Sequence, residues 1–257
     1  MLASCAPPAG TVKVPAETKE TMYARGHELY ITMKYSEAER ELMRAASMDS
    51  TYRAPLIDLG SLWFDLGKKG EGARRKEDFR KALGFLARAE ALGYREADGY
   101  EMLCEICTEL DDPRGFLLYA RKNAERYPFD RQYYNLGVAC FGVEDWAGVV
   151  KSQREAAEKF RESPYIGAFY RQMGRAYMKM DRDQTAERTL ESGVQAVDAR
   201  IAGLRKSGAG GSPEQSRRLQ DDKIGMLLLL RHLHTTYREP EKLAQVEREL
   251  REAGYTK

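Results

Sequence analysis

The chain has 257 residues, 42% of them hydrophobic and 32% charged, enough to bury the core of one or two domains. Its 42 Lys plus Arg against 40 Asp plus Glu leave a formal net charge of +2, without the cationic excess of a dedicated nucleic-acid binder. The longest apolar runs, such as Met226 to Leu230, are five residues, against the roughly 20 that a membrane-spanning helix needs, and four cysteines in this length exclude a disulfide-framed mini-protein.

One phrase recurs along the chain. It reads Leu56-x-x-Leu59-Gly60-x-x-Trp63, then Tyr100-x-x-Leu103-Cys104-x-x-Cys107, Tyr133-x-x-Leu136-Gly137-x-x-Cys140 and Tyr170-x-x-Met173-Gly174-x-x-Tyr177. A first copy is degenerate at its start but continues as Gly26-x-x-Leu29, Ala38, Leu42 and Ala45. The small residues at 26, 60, 104, 137 and 174 are spaced by 34, 44, 33 and 37, one unit of 34 with insertions in the second and fourth intervals. A small residue followed three positions later by a large apolar one lets two antiparallel helices approach closely and bury their stripes.

This phrase resembles the tetratricopeptide repeat (TPR), a helix–turn–helix unit of 34 residues, over roughly residues 19 to 205. Pro128 falls at the closing proline of that pattern, and Met33 to Glu39 and Met180 to Ala186 match its turn and second-helix opening. The resemblance implies an all-α fold: a right-handed α-solenoid of about five such repeats plus a C-terminal helical pair. It implies protein–protein interaction without naming a partner.

The predicted elements follow the repeat phase. Residues 1–18 form a tether, and the first helical pair spans 19–32 and 36–47. The second pair spans 53–66 and 77–92, with the insert 67–76, rich in glycine and basic residues, read as a mobile cationic loop. Next come 97–110 with 113–126, where Pro113 opens a helix, then 130–143 with 146–160, and 165–179 with 183–205. A flexible linker at 206–213 leads to a last helical pair within 214–257, its helices expected at 213–237 and 239–252. The run Ile224 to Leu230 suits a helix buried on most sides, the charged final helix suits a cap, and an incompletely capped end is a surface for self-association.

The amino terminus, Met1-Leu2-Ala3-Ser4-Cys5-Ala6-Pro7-Pro8, resembles the lipobox of bacterial lipoproteins. That resemblance implies cleavage before Cys5, lipid on its thiol, and a chain anchored to the membrane of the cell envelope and facing the periplasm. A cytoplasmic adaptor of the same fold is the alternative. A small-ligand carrier or transporter accessory protein is a third reading.

The residues that carry chemistry elsewhere have structural roles here. Cys104-Glu105-Ile106-Cys107 has the spacing of a redox or zinc half-site, yet Cys104 takes the repeat's small position and Cys107 and Cys140 its large one, so all three read as core. His232 and His234 are two apart on a helix and point to different faces, and Asp111-Asp112 and Asp221-Asp222 read as helix ends or loops. No phosphate loop, Gly-x-Ser-x-Gly or His-Glu-x-x-His occurs, so no catalytic group, metal or cofactor is assigned.

Carried over by phase, the family's groove-lining positions fall on Tyr23, His27, Tyr30 and Ile31, then Ile57, Ser61, Phe64 and Asp65. They continue with Asp98, Glu101, Glu105, Thr108 and Glu109, with Arg131, Tyr134, Val138 and Phe141, and with Arg171, Arg175, Met178 and Lys179. Glu101, Glu105 and Glu109 form an acidic ladder, Arg171, Arg175 and Lys179 a basic one, with Tyr134, Val138 and Phe141 between. Such ladders also occur on solvated helix faces. As a groove, they suit a peptide or helix of another protein with opposite charges around an apolar anchor.

Overall fold

Apolar residues three and four apart give each expected segment one stripe to bury, and each becomes a helix. The computed structural model describes residues 17–206 and 212–255, among which lie twelve helices and no strand. They are α1 (Lys19–Ile31), α2 (Tyr35–Met48), α3 (Arg53–Lys69), α4 (Gly72–Ala91), α5 (Ala97–Glu109), α6 (Pro113–Arg126), α7 (Asp130–Gly142), α8 (Trp146–Lys159), α9 (Ile166–Lys179), α10 (Asp183–Lys206), α11 (Pro213–Thr236) and α12 (Pro240–Glu252). Cys5 with most of the tether, and residues 207–211 of the expected linker, lie outside the described residues.

The helices fall into two units, divided between Arg95 and Glu96, so the stretch 19–205 is parted after its second hairpin. Unit 1 holds the hairpins α1/α2 and α3/α4; unit 2 holds α5/α6, α7/α8, α9/α10 and α11/α12. In unit 1 Ala38, Leu42, Leu59 and Leu62 share a core. In unit 2 a larger cluster runs from Tyr133 and Cys140 through Phe169, Met173 and Leu190 to Met226, Leu230 and Leu250.

Five hairpins turn in the same way. Met33, Asp111, Glu144, Asp181 and Arg238 each stand just past a first helix with φ between 54° and 61°. The next residue's N–H reaches back to a carbonyl five residues earlier: Lys34 to Leu29, Asp112 to Cys107, Asp145 to Cys140, Arg182 to Tyr177 and Glu239 to His234. This is the Schellman closure, which satisfies the helix's last carbonyls. Asp112 and Asp145 then accept from the N–H groups of Gly115 and Gly148 at 2.9 Å and so cap the second helices α6 and α8.

Seven residues before each of the first four of those turns stands the small residue, and sixteen after it stands its partner on the second helix. The pairs are Gly26 with Leu42, Cys104 with Ala120, Gly137 with Gln153 and Gly174 with Leu190. A Cβ on Gly26 would lie 2.8 Å from Leu42, and one on Gly174 would lie 2.4 Å from Leu190. The α3/α4 hairpin repeats the device with ten more residues between partners: a Cβ on Gly60 would come within 2.5 Å of Leu86.

Those ten residues correct the expectation of a loop at 67–76. Where the other hairpins turn, α3 continues through Gly67 to Lys69, and α4 starts at Gly72, so the insert lengthens both helices. Gly67 is buried, and a Cβ there would meet the Phe79 ring at 2.9 Å; close packing of the added turns favours helix over loop. The α11/α12 pair keeps the turn but not the small-residue contact, for Arg231 and the exposed Glu247 occupy those two positions. Its run 224–230 is wholly buried or half-buried, with Met226, Leu227 and Leu230 in the core.

Two glycine substitutions separate packing from propensity. Gly60→Ala pushes a methyl into Leu86 and should lower unfolding free energy by about 1–3 kcal/mol. Gly84→Ala, inside α4 with nothing within 4 Å of its Cβ, should raise it by about 0.5–1 kcal/mol. Urea unfolding followed by circular dichroism measures both, and equal effects would contradict the close approach.

Candidate functional site

Successive first helices lie side by side within each unit, and the positions read as groove-lining meet across those contacts. In unit 1, His27 Nδ1 lies 2.7 Å from Asp58 Oδ2, and the Tyr30 hydroxyl donates to Asp65 Oδ2 at 2.9 Å. The Tyr23 ring packs on His27 and on Tyr52, with centroids 5.7 and 5.6 Å apart. Phe64 turns its edge to Phe79 at 5.9 Å, under the Lys68 ammonium. Burial raises the Asp58 carboxyl above its ordinary value while His27 pulls it down; burial and the Asp65 bond hold the Tyr30 phenol high.

In unit 2 the two ladders face the helices beside them. Glu101 of α5 meets Arg131 of α7 at 3.6 Å and accepts from the Gln132 amide at 3.4 Å. Glu105 and Thr108 line, with Asn123 and Asn135, a polar cleft of ≈ 230 Å³, bordered by the Cys104 and Ala120 pair where three other hairpins place glycine and leucine. Glu109 closes α5 half-buried. On α7, Tyr134 packs on Tyr165 at 5.0 Å, Val138 is 39% exposed, and Phe141 lies against Trp146 at 4.8 Å. Arg175 of α9 stacks over the Phe141 ring at 4.3 Å, Met178 packs on the unit 2 core, and Lys179 is exposed.

Arg171 is already engaged. Its guanidinium reaches Asp222 of α11 at 3.0 Å, and Arg217 and Arg218 complete a pocket of ≈ 300 Å³ with Tyr134, Asp221 and Asp222. Asp222 corrects the reading of Asp221-Asp222 as a helix end or loop. It sits in the middle of α11 on the buried stripe of Leu219, Met226 and Leu233, and is 3% exposed. Its place on an apolar stripe was the available signal. Burial raises its carboxyl from 3.8 to about 6 against the lowering effect of Arg171 and Arg218, and its Oδ2 is buried without a hydrogen-bond partner.

Burial keeps the core thiols protonated at neutral pH. Cys104, Cys107 and Cys140 are free and buried, and burial pushes them up to about 12, 12 and 11. Among the described residues, Glu187, His234 and Glu239 gather ligand atoms within 4.8 Å, a cluster that separations of five to 52 residues hid in the sequence. The Lys242 ammonium sits on both carboxylates at 2.8 and 3.0 Å, and His234 Nδ1 contacts Glu239 at 2.8 Å, so the positive charge such a group attracts is supplied from within.

Among the described residues, twelve helices paired in sequence, five of the six hairpins sharing one turn, define a TPR-like all-α fold. No protein-family model and no curated protein matches the chain. Among solved structures it is similar to MamA, with a TM-score of 0.52 and 14% identity over 72% of this chain and 95% of that one. It is similar also to YrrB, described as a TPR protein with an unusual peptide-binding site, with a TM-score of 0.51 and 14% identity over 73% of this chain and 91% of that one. A structure of MamA AMB-1 gives a TM-score of 0.50 and 16% identity over 68% and 89%.

Asp222 should leave a signature in the pH dependence of stability. The folded chain keeps this proton up to about pH 6, whereas the unfolded chain releases it near 3.8. The stabilisation is therefore present below 3.8 and lost as pH rises through about 6. Relative to Asp222→Asn, the wild type should lose about 2–3 kcal/mol between the two limits. Denaturant unfolding across that range measures it, and parallel curves would place the carboxyl at its ordinary value.

Proposed function

We propose that the chain is a non-catalytic scaffold that holds a peptide or helix of another protein on the first-helix face of unit 2. The observation that carries this reading is the Arg175–Phe141 stack, which sets a cationic and an aromatic group side by side on α9 and α7. Exposed Val138 and Lys179 flank it, and the acidic Glu101 and Glu105 lie on α5 at the opposite edge of α7. An apolar anchor between basic and acidic groups would meet its complement on this surface. The similarity to YrrB, itself described as peptide-binding, agrees with this use of the fold.

The finer part of the proposal is location. Leu2-Ala3-Ser4-Cys5 supports a lipid-anchored chain of the bacterial envelope that helps to assemble an outer-membrane, pilus, secretion or transporter complex. A cytoplasmic adaptor is the competing outcome.

Peptides selected by display on the full chain should bind the double variant Arg175→Glu, Lys179→Glu at least about tenfold more weakly in fluorescence anisotropy. Both side chains are exposed, so folding should survive, as a circular dichroism melt will verify. Unchanged affinity would remove this face from the function. For location, bacteria expressing the full-length gene should label the wild type with an alkyne fatty acid and leave Cys5→Ala unlabelled; an unlabelled wild type would favour the cytoplasmic reading.

A further inference from the structure

A second groove lies on the opposite, second-helix side of unit 2, between α8, α9 and α10. Its floor is one stripe of α9: Ile166, Tyr170, Met173 and Tyr177. One wall comes from α8 and the chain just after it, with Arg154, Ala157 and Arg161; the other comes from α10, with Arg188, Ala196 and Arg200. The cavity measures ≈ 660 Å³. Small residues keep it open: Ala157 on one side and Ser192, Ala196 and Ala199 on the other leave Tyr170 half-exposed on the floor, where Ile166, Met173 and Tyr177 are buried. The far wall extends to Ala199 and Arg200 because α10 has 24 residues against 14 in α8.

Four arginines line this groove against two acids, Glu158 and Glu162. Arg154 donates to the Tyr177 hydroxyl at 2.7 Å, which fixes one guanidinium at the end of the floor where α9 finishes. Arg200 donates to Glu162 at 2.6 Å and marks the end where α9 begins. Its Nε is buried without an acceptor, while Arg161 and Arg188 are exposed. Ile166 to Tyr177 spans about 16 Å at helical rise, the reach of about five extended residues.

We propose that this groove binds an acidic linear peptide segment, with an apolar side chain against Tyr170 and carboxylates on the exposed Arg161 and Arg188. Planar guanidinium groups receive carboxylates through paired N–H donors, so cations spaced along an apolar floor select for anions flanking an apolar residue. A nucleic-acid strand fits less well: Glu158 and Glu162 repel a continuous phosphate chain, and the whole protein carries a net charge of only +2. This site is separate from the first-helix face of the proposed function and does not depend on it.

The test uses the full chain and a fluorescein-labelled peptide, Asp-Glu-Leu-Glu-Asp, in fluorescence anisotropy, with its amide counterpart Asn-Gln-Leu-Gln-Asn and a labelled oligo-dT as comparisons. Saturable binding of the acidic peptide, at least about tenfold weaker in Arg161→Glu with Arg188→Glu, is expected. Arg175→Glu with Lys179→Glu, on the other face, should bind it as the wild type does, so failure here and failure of the first-helix face are told apart. Circular dichroism melts of both double variants keep loss of fold from passing for loss of binding. No binding of the acidic peptide, equal binding of the amide peptide, tighter binding of oligo-dT, or an unaffected Arg161/Arg188 variant would each overturn the proposal.

Discussion

The close approach of two helices at one point in each hairpin is the constraint from which most of the structure follows. Where a first helix carries glycine, a partner side chain of the second helix, leucine in three hairpins and Gln153 in the fourth, lies against bare backbone, and little room is left for a side chain on the glycine. In four hairpins the turn residue stands seven positions beyond the small residue, so contact and turn keep one spacing there. Even a ten-residue insertion leaves the contact in place: Gly60 still meets Leu86, and the added length is taken up as helix.

The contact also sets where polarity can enter. Gly137 faces Gln153 where its counterparts face leucine, and the Gln153 amide donates to the Tyr133 carbonyl at 2.7 Å. Cys104 faces Ala120, a pair too small to fill the space, and a polar cleft with Glu105 and Asn123 results. Departures from the glycine–leucine pair thus lie beneath unit 2's acidic end and its aromatic middle. Variation in two buried positions is transmitted to the surface through packing.

The fold was legible because its signal is periodic: five small residues near a spacing of 34 place ten helices within a few residues of their ends, the insert excepted. The insert misled because three glycines read as a loop, whereas Gly67 is a packing residue against Phe79. The last hairpin was only faintly repeat-like because its repetition lies in a turn, a positive φ at Arg238, that composition does not betray. The groove positions were legible by phase, but their partners were not. Asp58 reaches His27 from 31 residues away and Asp222 reaches Arg171 from 51, and a sequence does not reveal which charge a helix will meet across a contact.

That difference decides what each face has left to offer. On the first-helix side the ladders are largely drawn inward: Glu101 to Arg131, Arg171 to Asp222, Arg175 over Phe141. A guest there must compete with contacts the chain already makes, so affinity would rest on the aromatic residues and the outermost charges, and salt would weaken it only modestly. On the second-helix side, Arg161 and Arg188 stand exposed beside an apolar floor, and Arg200 Nε is buried without an acceptor. Binding at Arg161 and Arg188 would replace water rather than break ion pairs, so charge should contribute more to recognition and salt should weaken it more steeply. A solenoid that spends one side's charges on its own cohesion can keep the other side's charges for a partner.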